Sequence, residues 1–258
     1  MDPRQTGVGV TRPLITIAGR MGSWEEPPWP VACDLARTLP AGSWTLIGGL
    51  MVKLHAELAS LPPSRSTVDV DSALHLETNR VTFGQVAGTL EGSGYVLDPT
   101  TRFAYRFTRG SDRVDVMCAD RFAIWRSPKF NGRPLFGVPG GTRALQQTMD
   151  VDLETSTGFV RISLPSLRGA LVLKGAAFLE DSRERDRHAE DGVMLLACLS
   201  DVTDVLVGLS QRSRRRIRAL LNALDGRESP WAAHDPVVQS LARESWEDLA
   251  SKLGLPAH

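Results

Sequence analysis

Nothing in the 258 residues approaches the roughly 20 consecutive apolar positions that a membrane-spanning helix needs, so an integral membrane protein is not expected. Residues 1–22 lack the unbroken apolar stretch of a secretory leader and carry several arginines, which reads as a cytoplasmic chain. Charge of one sign is missing too: the formal net charge is zero, so any binding to nucleic acid must use a local patch rather than a global field. Cysteine is scarce. Cys33, Cys118 and Cys198 are far apart and show no metal-ligand spacing; Cys118 and Cys198 sit in apolar runs, so buried free thiols in a reducing compartment are expected. No Gly-x-x-x-x-Gly-Lys-Ser/Thr occurs, which argues against a P-loop NTPase. Internal repeats are absent, and low complexity is confined to short Pro-, Ser- and Gly-rich patches. The composition that remains is that of an ordinary globular chain, long enough for one large domain or two modest ones.

The pattern of apolar positions divides the chain. The stretch through Trp24-Glu25-Glu26-Pro27-Pro28-Trp29-Pro30 reads as an extended arm, giving an N-terminal segment over 1–40. A short strand over 44–47 ends at Gly48-Gly49, and Leu50, Leu54, Leu58 and Leu61 then recur at helical spacing until Pro62-Pro63. A strand is expected over 68–76, a helix over 81–90, and alternating strands over 102–108 and 113–118 around the turn Gly110-Ser111-Asp112. A strand pair over 151–164 turns at Thr157-Gly158. From residue 165 onward the chain reads as helical, in five pieces over 166–179, 187–199, 203–209, 213–224 and 236–253. The expectation is an α/β core with a mixed sheet over 41–164, followed by a helical domain over 165–258 that completes an active site.

Chemistry concentrates in Thr67-Val68-Asp69-Val70-Asp71. On a strand, Asp69 and Asp71 share one face while Val68 and Val70 share the other. Adjacent carboxylates repel and are costly to bury unpaired, so the pattern suits a hard divalent cation, although Asp-x-Asp alone also fits a solvated strand edge. Asp115, in Val114-Asp115-Val116, has the same phase. Neighbouring strands would bring all three carboxylates together with oxygen-only ligation, the chemistry of Mg²⁺ or Mn²⁺. In a two-metal displacement, Asp69 and Asp71 bridge the ions and Asp115 binds the ion that activates the attacking hydroxyl. Gly48-Gly49 at a strand-to-helix turn offers backbone N–H groups to a phosphate, and equally fits a plain tight turn. Lys174 is the only charge in Leu171–Leu179; it either snorkels to the surface or pairs with Asp191 on the next helix and points at a triphosphate.

Gly48-Gly49, Arg65-x-Thr67-x-Asp69-x-Asp71, Val114-Asp115-Val116, Lys174-x-x-Ala177 and Arg187-His188-x-x-Asp191, in that order, resemble the nucleotidyltransferase toxins of the AbiEii type. The mycobacterial MenT toxins of the same superfamily look similar. The resemblance spans residues 44–199. It implies a polymerase-β-like nucleotidyltransferase core in which Asp69, Asp71 and Asp115 bind Mg²⁺ (or Mn²⁺) and Lys174 and Asp191 serve the nucleotide. It implies transfer of nucleotides from an NTP, often a pyrimidine one, to the 3′ end of tRNA, blocking aminoacylation. It also implies a cognate antitoxin, in some members a kinase-like protein that phosphorylates a residue two before the first aspartate, here Thr67. One departure stands out: many members have Lys-Asp-x-x-Asp where this chain has Arg187-His188-Ala189-Glu190-Asp191, and an alternative alignment uses Arg185-Asp186. His188 reads as structural.

An RNA substrate needs a basic surface. Arg212, Arg214, Arg215, Arg216 and Arg218 supply one on a helix, with Arg183, Arg185 and Arg187 extending it toward Lys174. Two other readings stay open: transfer to a small-molecule or protein hydroxyl, and a catalytically inactive binding protein.

Overall fold

Residues 44–47 are all buried, and the strand they form pairs antiparallel with 69–74, seeding the main sheet. The computed structural model describes residues 12–19, 21–62 and 67–255; Arg65 and Ser66 of the aspartate motif lie outside them. In chain order the first half comprises β1 (Leu14–Ile17), α1 (Trp29–Thr38), β2 (Trp44–Ile47), α2 (Gly48–Leu58), β3 (Asp69–Leu74), α3 (Phe83–Gly92), β4 (Val96–Leu97), β5 (Arg106–Arg109), β6 (Asp112–Ala119) and α4 (Asp120–Arg126). Then follow β7 (Lys129–Phe130), β8 (Arg133–Pro134), β9 (Gly137–Val138), α5 (Gly141–Ala144), β10 (Thr148–Thr155) and β11 (Gly158–Pro165). The helical half is α6 (Leu167–Glu180), α7 (Arg185–Ala197), α8 (Thr203–Leu206), α9 (Gln211–Leu224), α10 (Ser229–Ala232) and α11 (Pro236–Lys252). Among the described residues no helix is long and apolar enough to cross a membrane.

The fold is mixed α/β. The main sheet runs β2-β3-β6-β5-β4, with β9 added to the end of β6. Only β3–β6 and β6–β9 are parallel in it. A second sheet, β1-β10-β11, packs against β2 through β11. Val70, Val114 and Phe107 are register partners across three strands and are fully buried on one face. Phe83 of α3 meets Phe107 there at 6.2 Å between ring centroids. That apolar layer leaves the opposite face for the aspartates.

Several elements differ from the sequence expectation. Residues 29–38 form α1 instead of an extended arm: proline in the first helical turn lacks only a donor that would be orphaned anyway, and the helix buries Trp29, Ala32, Cys33 and Leu35. The strand expected to start at 102 begins at Arg106. The helix expected over 81–90 starts at Phe83, because Thr82 and Gln85 form a reciprocal capping box. The glycine pair lies within the first turn of α2 rather than before it. Cys33 and Cys118 are buried thiols as expected, whereas Cys198 is half-buried; burial pushes the Cys118 and Cys198 thiols up to about 12.

The two sheets are joined by polar contacts. Thr45 Oγ1 is 2.7 Å from His75 Nε2 and 3.0 Å from Ser163 Oγ, all buried. His55 on α2 donates from Nε2 to the Pro165 carbonyl at 3.0 Å, the last residue of β11. A carbonyl can only accept, so Nε2 carries the proton. Burial holds the His55 pKa down at about 4, below its ordinary 6.5. Because the folded value is the lower one, the stabilisation is complete above about pH 6.5 and is lost as pH falls toward 4, amounting to about 3 kcal/mol. Urea unfolding at pH 7.5, 5.5 and 4 should show this loss, and His55→Gln, which can still donate to the carbonyl, should flatten it. Equal pH slopes for the two proteins would remove His55 as the cause.

Candidate active site

Parallel pairing of β3 with β6 sets Asp71 directly beside Asp115 and Asp69 beside Arg113. Residues paired this way project to the same side of a sheet. Asp69, Asp71 and Asp115 therefore share the face left open by the apolar layer. Asp115 is buried, while Asp69 and Asp71 are half-buried.

Each carboxylate meets positive charge. Arg106, the register partner of Asp115 on β5, grips it with two hydrogen bonds, Nε to Oδ1 at 2.9 Å and Nη2 to Oδ2 at 2.7 Å. Arg113 Nη2 lies 2.5 Å from Asp69 Oδ1. That contact lacks hydrogen-bond geometry, and Asp69 Oδ1 is a buried oxygen with no hydrogen-bond partner among the described residues. Asp71 is the most strained electrostatically. Burial above all, and then the Asp115 charge, push its carboxyl up to about 7, against the pull of Lys174 and Arg187.

Opposite the sheet, α6 and α7 pack side by side and α2 contacts both. Lys174 Nζ reaches Asp191 Oδ2 at 2.5 Å, with both side chains buried. The competing Asp186 is used elsewhere, by Arg227. Arg187 lies one turn before Asp191 on α7, donates to Glu184 at 2.8 Å and acts on Asp71 through space. His188 is largely buried, with Asp181 3.8 Å away, and burial followed by the Lys174 charge lowers its pKa.

Gly48 holds the turn that brings α2 to the carboxylates. Its φ is +73°, and a Cβ there would lie 1.8 Å from Asp71 Oδ2. The carboxylate therefore sits where a side chain would be, at the positive N-terminal end of α2. Gly48→Ala combines a left-handed backbone strain of about 1 kcal/mol with forced displacement of Asp71. It should lower activity by about 100-fold or more while the protein stays folded, since the collision is with the site rather than the core. Full activity in a melting-controlled assay would show that Asp71 need not occupy this position.

The donors suit a hard divalent cation: oxygen-only ligands on one face, a buried Asp69 oxygen that has an ion pair but no hydrogen bond, and repulsion that a cation would relieve. As they stand, no three metal-binding groups among the described residues converge on one point. Arg106 stands on Asp115 and Arg113 on Asp69, so ligation by these two carboxylates would require both arginines to swing aside. The sequence reading did not include these two arginines. Alternation along β6 places Arg113 on the Asp115 face, but the partner of Arg106 depends on strand register.

Other expected residues fall differently. Gly49 is buried in the first turn of α2. Thr67 is buried, so a modifying enzyme reaches its hydroxyl only if the segment leading into β3 moves. Of the arginine run, Arg212, Arg214, Arg215 and Arg218 are exposed on α9. Arg216 is the exception: it is buried, with Nη2 3.8 Å from Asp120 Oδ2, and leaves the basic surface. Helical periodicity turns it inward against α6, where Gly175 permits an approach so close that a Cβ would lie 2.3 Å from the Arg216 carbonyl oxygen.

No family model matches the chain, and no curated protein matches it. Among solved structures it is similar to an antigenic nucleotidyltransferase-like protein from Paracoccidioides brasiliensis, at 19% identity over 79% of this chain and 90% of that one, with a TM-score of 0.47. It is also similar to the antibiotic-resistance factor ANT(2'')-Ia in solution, at 12% identity over 86% of this chain and 91% of that one, TM-score 0.34. The crystal structure of ANT(2'')-Ia with adenylyl-2''-tobramycin gives 13% identity over 84% and 94%, TM-score 0.32. These values are too low to carry an argument, and the functional reading rests on this chain's own residues.

Proposed function

We propose that the chain is a divalent-metal-dependent nucleotidyltransferase that moves nucleotides from an NTP to the 3′ end of tRNA, acting as a growth-arresting toxin restrained by a partner antitoxin. The observation that carries the enzymatic part is the register pairing of Asp71 with Asp115, faced by the buried Lys174–Asp191 pair. Mg²⁺ or Mn²⁺ held by Asp69, Asp71 and Asp115 would neutralise charge on the nucleotide phosphates and activate the attacking hydroxyl.

The chain's own groups divide the remaining work. Asp71, with its carboxyl near 7, must lose a proton before it can act as a ligand, and Lys174 and Arg187 favour that loss. Asp191 fixes the Lys174 ammonium, which is thereby positioned to meet a triphosphate without being able to rotate away. Gly48, lacking a side chain, leaves room for the Asp71 carboxylate at the N-terminal end of α2, where a metal-bound phosphate would also be favoured. The exposed arginines of α9 support an RNA acceptor over a small molecule, because a phosphate chain needs several separated cations. Phosphorylation at Thr67 would put about two negative charges beside Asp69 and oppose nucleotide binding.

Each labelled NTP, incubated with the protein, Mg²⁺ and total RNA beside an Asp69→Ala control, tests the reading. Label should enter tRNA-sized product only with the intact site. Transfer to an aminoglycoside-like hydroxyl and none to RNA would replace the acceptor assignment; transfer to neither would end the enzymatic one.

A further inference from the structure

We propose that α4 and the exposed face of α9 form one path for single-stranded RNA, with Trp125 as the platform on which an acceptor base stacks. This rests on the RNA-acceptor reading above and adds a surface that reading does not use. Trp125 is 74% exposed and its neighbour Ile124 70%, more than any other large apolar side chain among the described residues. Trp24, Trp29, Trp44 and Trp231 are buried and Trp246 is half-buried. The exposed indole is flanked by a cation, since the Arg121 guanidinium lies 5.7 Å from its ring centroid.

The surroundings are one-sided in charge. From Arg121 to Met149 the sequence holds no Asp or Glu and five cations, in a chain whose net charge is zero. Arg133 is used up on the carbonyls of Asp98 and Thr101, while Arg121, Arg126, Lys129 and Arg143 are exposed. The preceding acid, Asp120, is committed: it accepts from Gly140 N at 3.1 Å, Thr142 N at 3.1 Å, Thr142 Oγ1 at 2.5 Å and Arg121 N at 3.0 Å. Its remaining contact, Arg216, ties it to α9. The same arginine that leaves the basic surface thus ties α9 to the first residue of α4 through one ion pair. α9 also contains no acid and presents Arg212, Arg214, Arg215 and Arg218 outward. α4 follows β6 without a linker, so the platform continues from the strand that carries Asp115.

An exposed aromatic ring among separated cations is the composition that binds single strands, where stacking is tolerant of sequence and the backbone is held electrostatically. Duplexes offer no free base face to such a ring. A protein partner would need a broader apolar face than two side chains, and a seven-residue helix is short for lying in a membrane surface.

Fluorescence anisotropy with a labelled single-stranded RNA of about 12 nucleotides tests this on the full chain, without NTP. Trp125→Ala should weaken binding at least about fivefold without changing its salt dependence, and Trp125→Phe should retain most of it. Arg121→Gln and Arg215→Gln should each reduce the salt slope. Melting curves verify folding, and Mg·NTP binding by thermal shift is measured in parallel, so that failure of the transfer reading is seen separately. RNA binding unchanged in Trp125→Ala overturns the proposal. So does a Trp125→Ala loss confined to anionic vesicles or to self-association.

Discussion

Asp71→Asn and Asp115→Asn are each expected to lower nucleotidyl transfer by about 1,000-fold, corresponding to roughly 4 kcal/mol of lost transition-state stabilisation. The two carboxylates are register partners on one sheet face, so the double variant should be little worse than either single one, as groups acting as a unit behave. Folding offers a clean control. The Asp71 carboxyl is pushed up to about 7, so its ionised form is disfavoured in the folded chain, and a neutral isostere relieves that cost. In the absence of metal at pH 8, Asp71→Asn should therefore melt no lower than the unmodified protein while being inactive. Asp115→Asn differs, because it breaks the two-pronged contact with Arg106 and should melt lower. Transfer by Asp115→Asn within tenfold of the original would leave Asp71 and Asp69 as a two-carboxylate site and dismiss Asp115 as a ligand.

The second large effect concerns stability. Asp191→Ala leaves the Lys174 ammonium buried without its partner carboxylate, a change that costs about 3–5 kcal/mol. For a chain of this length that is a drop of roughly 6–20 °C in melting temperature. Lys174→Met/Asp191→Leu, which replaces the pair with apolar groups of similar size, should regain most of the lost stability. Activity should not return, because the Lys174 charge that favours ionised Asp71 and faces the nucleotide is gone. Calorimetry beside the labelled-NTP assay separates the two roles. A double variant that is stable and active would make the pair purely structural; one that stays as unstable as Asp191→Ala would show that the contact does more than neutralise a buried charge.

Part of the site was legible because it depends on local periodicity. Alternation along a strand fixes that Asp69, Asp71 and Asp115 oppose Val70, Val114 and Val116 whatever the strands pair with, whereas Val68 falls just before β3 and is exposed. The isolation of Lys174 in an apolar helix likewise announces a buried cation in need of a partner. The glycine pair marks a strand-to-helix turn, although sequence could not show that Gly48 is required by a carboxylate lying where its Cβ would be.

Other features were not legible, since they depend on which segments meet. The arginine run reads as five equivalent cations, yet packing against α6 turns Arg216 onto Asp120 and leaves four outside. The proline- and tryptophan-rich stretch 24–30 reads as an arm in sequence, yet Trp24 and Trp29 pack edge to face at 4.8 Å and bury the start of α1 in the core. Sequence alone determined the two periodicities and the residue types they place on each face. Tertiary structure decided the partners: Asp71 with Asp115, Lys174 with Asp191 rather than Asp186, and Arg106 and Arg113 on the carboxylates. The physical reason is range. A side chain's face follows from dihedral angles a few residues apart, whereas the charge it meets is set by strand register and helix packing between residues from 9 to 44 positions apart in these cases.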